Sequence, residues 1–121
     1  MEQACFYVRM FTQSGSLPGS AIAAAEEVVR ELSDVDASVV IEPYEKLGLY
    51  ANRVTLSVIV DQSIALALFD AFLGLASTGW AFMPFDEEFT AREAGWDERR
   101  THETFLDPSV RGAFLGVERA S

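Results

Sequence analysis

Residues 53–60 carry an aliphatic side chain at every second position, with Arg53, Thr55, Ser57 and Ile59 between them, and this pattern constrains the fold more than any other feature of the sequence. Successive side chains of a β-strand point to opposite faces, so the alternation predicts a strand with one buried face. The residues of that face are all aliphatic: Val54, Leu56, Val58 and Val60. Such a face has to be covered, and we expect amphipathic helices to cover it.

Two segments have the spacing of covering helices. In the first, which opens at Pro18 or Ser20, apolar residues recur on one side and charged residues occupy the other. The second runs from about Ile64 to Leu75, after the helix-capping residues 61–63. It is apolar almost all round, which indicates burial on more than one side. Either the C-terminal part of the chain or a partner then covers its second side.

Further strands are predicted at residues 4–12, 38–42 and 80–85, where β-branched and aromatic side chains are concentrated. The resulting order β-α-β-β-α-β predicts an α+β fold, a ferredoxin-like sandwich with two helices on one face of an antiparallel sheet.

At 121 residues the chain fits a single domain. We expect an α+β core at residues 1–85 and an acidic, aromatic C-terminal extension at residues 86–121 packed on it. Within the extension, Val110–Val117 forms either a fifth strand or a packed segment.

The chain has 19 acidic and 9 basic residues and a net charge of −10. Direct binding to nucleic acid or to an anionic membrane requires a basic surface, so both partners are disfavoured. The lone Cys5 excludes an intramolecular disulfide and a thiolate zinc cluster. The N-terminal residues lack the basic region of a secretory signal, and we expect a cytoplasmic protein.

The sequence contains none of the catalytic motifs that would identify an enzyme. The glycine-rich loop at residues 15–19 lacks the lysine of a phosphate-binding loop, and His102-Glu103 is not followed by the second histidine of a metalloprotease helix. No nucleophile elbow of the G-x-S-x-G type is present. We therefore predict no catalytic residue, no metal and no cofactor.

The acidic residues fall mainly into two blocks, residues 26–45 with seven acids against one base and residues 86–107 with eight against three. The second block also carries aromatic residues, which supply buried area in protein interfaces, while acids attract a cationic partner. We predict that its residues bind a partner: Asp86, Glu87, Glu88, Phe89, Trp96, Asp97 and Glu98.

These observations favour a small acidic protein-binding module, an inhibitor or immunity protein that blocks a basic target such as a nuclease or toxin. The alternative is a ferredoxin-like homodimer that acts as an enzyme or ligand-binding protein and uses His102 with a nearby carboxylate as an acid–base pair. A subunit or adaptor of a larger assembly is a third interpretation.

Overall fold

The described residues form one antiparallel sheet of six strands, and two helices pack against one face of this sheet. The computed structural model describes residues 2–13, 18–44, 50–82 and 91–119. The strands are β1 (Gln3–Gln13), β2 (Ser38–Pro43), β3 (Tyr50–Asp61), β4 (Trp80–Phe82), β5 (Ala91–Asp97) and β6 (Val110–Arg119). The helices are α1 (Gly19–Ser33) and α2 (Gln62–Leu73), and a 3-10 turn spans Glu98–Arg100.

The predicted aliphatic face of β3 is confirmed. Its four residues Val54, Leu56, Val58 and Val60 are at most 5% exposed. They belong to one apolar core with Val29 of α1 and with Leu68 and Phe72 of α2. The alternating strand and the helical stripes therefore bury one another, as the two periodicities require.

The sheet has the strand order β2-β3-β1-β6-β5-β4, and this corrects the ferredoxin-like prediction. The α+β class and the antiparallel sheet are confirmed, but the arrangement is not a simple ferredoxin-like one. On the side away from β3, the neighbour of β1 is the C-terminal strand β6, in which Val117 lies opposite Phe6. The predicted fourth strand extends over residues 80–82 and lies at the far edge of the sheet, beside β5. Its predicted remainder, residues 83–85, is outside the described residues.

The second side of α2 is covered by the segment that joins β5 to β6. From this segment Phe105, which is fully buried, approaches Phe72 with ring centroids 6.4 Å apart. The same ring lies 5.3 Å from Trp80 and 5.6 Å from Trp96. Of the two predicted ways to bury α2, the structure shows the C-terminal one. Neither helix of the described residues is long and apolar enough to cross a membrane.

Candidate functional site

The helices pack against only one face of the sheet, and we call the other the uncovered face. Odd-numbered residues of β1 and β3 share this face with Gly112, Phe114, Gly116 and Glu118 of β6, because the register places them side by side. Thus Arg9 lies between Thr55 and Phe114, and Phe11 lies between Arg53 and Gly112.

Three aromatic rings form a continuous cluster on the uncovered face, and we call it the ring cluster. The Phe11 ring lies 4.9 Å from the Tyr44 ring and 6.0 Å from the Phe114 ring, the latter in an edge-on arrangement. Phe114 is 48% exposed. Arg53 lies 5.8 Å from the centre of the Tyr44 ring and forms an ion pair with Glu42. A large apolar side chain is therefore presented to solvent from the middle of the sheet.

A groove of about 200 Å³ lies against the ring cluster. Its floor is the backbone of Gly95 and Gly112, and Asp97 and Arg100 contribute polar atoms to its wall. A Cβ atom at Gly112 would meet its nearest neighbour, the carbonyl oxygen of Trp96, at 3.5 Å, which is ordinary contact. A Cβ atom at position 112, which lines the groove, therefore meets no steric clash.

The Tyr7 side chain lies across Gly116, another glycine of the uncovered face. A Cβ atom at Gly116 would lie 2.1 Å from the Tyr7 ring, so the ring occupies the space that any side chain would need. The Tyr7 hydroxyl donates a hydrogen bond to a Glu93 carboxylate oxygen at 2.8 Å. Burial, followed by this hydrogen bond, raises the pKa of Tyr7 well above its ordinary value.

Acidic residues outnumber arginines among the described strand residues of the uncovered face. The alternation within each strand places two arginines there, Arg9 and Arg53. The same alternation places five carboxylates there: Glu42, Asp61, Glu93, Asp97 and Glu118. The described strand residues of this face therefore carry a net negative charge.

The structure describes three of the seven predicted partner-binding residues, Trp96, Asp97 and Glu98. Asp86, Glu87, Glu88 and Phe89 lie outside the described residues. Trp96 is 3% exposed, and its indole N–H donates to the Thr78 carbonyl oxygen at 3.1 Å, so this ring belongs to the core.

Asp97 and Glu98 are accessible but each is engaged within the chain. Asp97 accepts hydrogen bonds from the Arg99 side chain, and these hold the pKa of the carboxyl below its usual range. Glu98 pairs with Arg111 at 2.6 Å. Among the described members of the predicted set, Trp96 and Asp97 line the groove. The role of these residues in partner binding stays a prediction.

His102 is exposed and lies at the rim of a second, wide cavity of about 460 Å³. In the described chain no carboxylate is hydrogen-bonded to its imidazole, and the acids Glu98 and Glu103 that line the cavity bond instead to Arg111 and Ser77. Ser77 donates to Glu103 from its hydroxyl and its backbone, which lowers the pKa of that carboxyl. Within the described ranges no three His, Cys, Asp or Glu side chains are grouped as metal ligands. This cavity therefore lacks an oriented acid–base pair.

The ring cluster was missed by sequence reasoning because its members are far apart in the chain. A signal for it exists in β6, where Gly112, Phe114 and Gly116 alternate on one face. A phenylalanine flanked by two glycines at a spacing of two indicates a ring lying on bare backbone.

No protein-family model matches the chain, and no curated protein matches it either.

Proposed function

We propose that this chain is a protein-binding module that recognises a basic protein through the uncovered face, and that it acts as an inhibitor or immunity protein for a nuclease or toxin. The observation that supports the proposal best is the ring cluster, with the half-exposed Phe114 beside an open groove. The ring cluster lies on a flat, extended face of the sheet, which is better suited to contact with another protein than to enclosing a small molecule.

Aromatic side chains at the centre of an interface provide most of its binding energy when they become fully desolvated. Phe114 is held in place by the edge-on contact with Phe11 and by the backbone of Gly95 beneath it. A ring that is already fixed loses little conformational entropy when it is covered. The ring cluster is therefore already ordered in the conformation in which a partner would bind it.

The negative charge of the chain favours a basic protein as its partner. The uncovered face carries more carboxylates than arginines, and the whole chain has a net charge of −10. Such a surface attracts a cationic protein over distance and repels an acidic one. A nuclease binds phosphate with a cationic site, and an acidic protein competes for the same surface.

The test begins with affinity capture from the native host, using the whole chain as bait. We expect a basic nuclease or toxin whose activity falls when the chain is added. Gly112→Val fills the groove and Phe114→Ser removes the exposed ring, and each should weaken binding by about tenfold or more. Gly19→Ala is the matched control, because a Cβ atom at Gly19 meets nothing within 4 Å.

Thermal melting of each variant establishes that the fold is retained. Unchanged affinity in folded Gly112→Val and Phe114→Ser proteins would exclude the uncovered face as the binding surface. A partner that is captured but keeps full activity would contradict the inhibitor function.

A further inference from the structure

The strand β2 forms one edge of the sheet and is exposed along its whole length. All six of its residues are exposed, and among the described strands it pairs only with β3. Its outer side therefore presents backbone N–H and C=O groups that have no strand partner in the described chain. An edge of this kind is a template for another strand.

Exposed apolar side chains are concentrated next to this edge. Of the nine large hydrophobic residues that are exposed in the described chain, five lie between positions 32 and 41: Leu32, Val35, Val39, Val40 and Ile41. Val40 and Ile41 are 51% and 52% exposed. The register places Val39 and Ile41 on the helix side of β2 and Val40 on the uncovered face, so both faces of this edge expose aliphatic side chains.

The first four residues of β2 lack the features that normally prevent edge pairing, and its charged residue and its proline, Glu42 and Pro43, come at its end. Residues 38–41 contain no charged side chain, and the register of β2 with β3 has no bulge. At the opposite edge the structure describes three residues of β4, and Phe82 among them is exposed.

We infer that the occupant of this edge is a second copy of the chain, joined by antiparallel pairing of β2 with β2 about a twofold axis through Val40. This register places Val40 opposite Val40 of the second copy and Val39 opposite Ile41. It also places Ser38 opposite Glu42, so a hydroxyl donor meets a carboxylate acceptor. Every apolar residue of the strand is then paired with an apolar one.

Neighbouring twofold registers are less favourable. An axis through Val39 places Asp36 opposite Glu42 of the second copy, and like charges directly opposite each other are destabilising. An axis through Ile41 places the apolar Val40 opposite the charged Glu42. Pairing about Val40 is self-complementary, and an isologous contact of this kind closes after two copies.

The dimer has a salt dependence opposite to that of the complex with a basic partner. Two copies each carry a charge of −10 and repel each other, so added salt screens the repulsion and tightens the dimer. Binding of a basic partner weakens with salt instead. The dimer and the proposed function can therefore fail independently.

The first experiment measures the mass of the purified full-length chain by sedimentation equilibrium over a range of concentrations. We expect a reversible dimer that tightens with salt. Val40→Lys places two lysines opposite each other and should raise the dimer dissociation constant by about tenfold or more. Phe82→Lys is the matched control, because Phe82 is 66% exposed on the opposite edge. It should leave the dissociation constant unchanged.

The second experiment tests the register by cross-linking in a Cys5→Ser background. Residues directly opposite each other in an antiparallel pair have Cα atoms about 4.5–5.5 Å apart, within the range of a disulfide. Val40→Cys should therefore form a covalent dimer on mild oxidation. Val39→Cys should not, because it lies opposite Ile41, and its own counterpart is offset by two residues, about 6.8 Å along the strand. A monomer at all concentrations, or equal cross-linking of the two variants, would overturn the proposal.

Discussion

At the scale of single residues, the contact between Tyr7 and Gly116 shows how one position restricts another across the sheet. In Gly116→Ala the new Cβ atom would lie 2.1 Å from the ring, so the ring has to swing away and lose its hydrogen bond to Glu93. We expect the free energy of unfolding to fall by about 1–2 kcal/mol. Urea denaturation measures the loss, and Gly112→Ala, which makes only ordinary contacts, should show none. Equal stability of the two variants would show that the Tyr7 ring does not rest on Gly116.

Tyr7 also gives the fold a pH dependence at alkaline pH. Its folded pKa lies above the ordinary value of 10.0, because burial and the hydrogen bond to Glu93 favour the neutral phenol. A raised folded pKa means that the stabilisation is fully present below pH 10 and is lost as the pH rises toward the folded value. We expect Tyr7→Phe to flatten the decline of the unfolding free energy above pH 10. A decline as steep as that of the wild type would assign the effect to other groups.

At the scale of elements, the segment between β5 and β6 depends on ionised carboxylates. Hydrogen bonds from Ser77 lower the pKa of Glu103, and hydrogen bonds from Ser109 lower the pKa of Asp107. A lowered folded pKa means that these contacts stabilise the fold above the unfolded values of 4.5 and 3.8, and that this stabilisation is lost as the pH falls below them. The segment should then release Phe105 from the two tryptophans.

Tryptophan emission reports this release, because Trp80 and Trp96 both contact Phe105. We expect a red shift of the emission on acidification. Glu103→Gln should already show part of the shift at neutral pH, whereas Glu27→Gln, on the exposed side of α1, should behave like the wild type. A wild-type acid profile in Glu103→Gln would mean that this carboxylate does not hold the segment.

Helices and strands were predictable from the sequence where the pattern that indicates them lies within the segment itself. The alternation of Val54 to Val60 and the apolar spacing of α1 and α2 arise from neighbouring residues, and the structure contains these elements within a few residues of the predicted bounds. The neighbour of β1 was not predictable, because Thr12 pairs with Val110 and Ala4 with Arg119, about a hundred positions away. Local patterns carry no information on such pairing.

The candidate site was less predictable than the fold for a related reason. Trp96 is surrounded by acids in the sequence, and this pattern favours an exposed residue that binds a partner. In β5, however, the Trp96 side chain lies on the helix side of the sheet, whereas its neighbours Gly95 and Asp97 lie on the uncovered face. A shift of one residue reverses the side of every residue in a strand. Phe11 and Phe114 become neighbours only once β1 and β6 are paired.

At the scale of the whole molecule, the net charge of −10 governs encounters with other proteins. If acids steer a basic partner, the association rate should fall steeply as salt is added, because the field of each charge is screened within about 8 Å at physiological ionic strength. Reversing Glu42 and Glu118 to lysine should lower the rate by about tenfold at low salt. Stopped-flow kinetics of the wild type and the reversed variant at several salt concentrations measure both effects. A rate independent of salt and of these reversals would remove the electrostatic basis for a basic partner.

The position of β6 between β1 and β5 also determines the order in which the molecule is completed during synthesis. A ribosome releases β1 first and β6 last, yet the two are neighbours in the finished sheet. Until residues 110–119 emerge, β1 has one unpaired side, and the β4–β5 hairpin has no strand to join. Among the described strands β6 joins β1 to β5, so a chain that stops before residue 110 lacks the ten-residue strand that makes this sheet continuous.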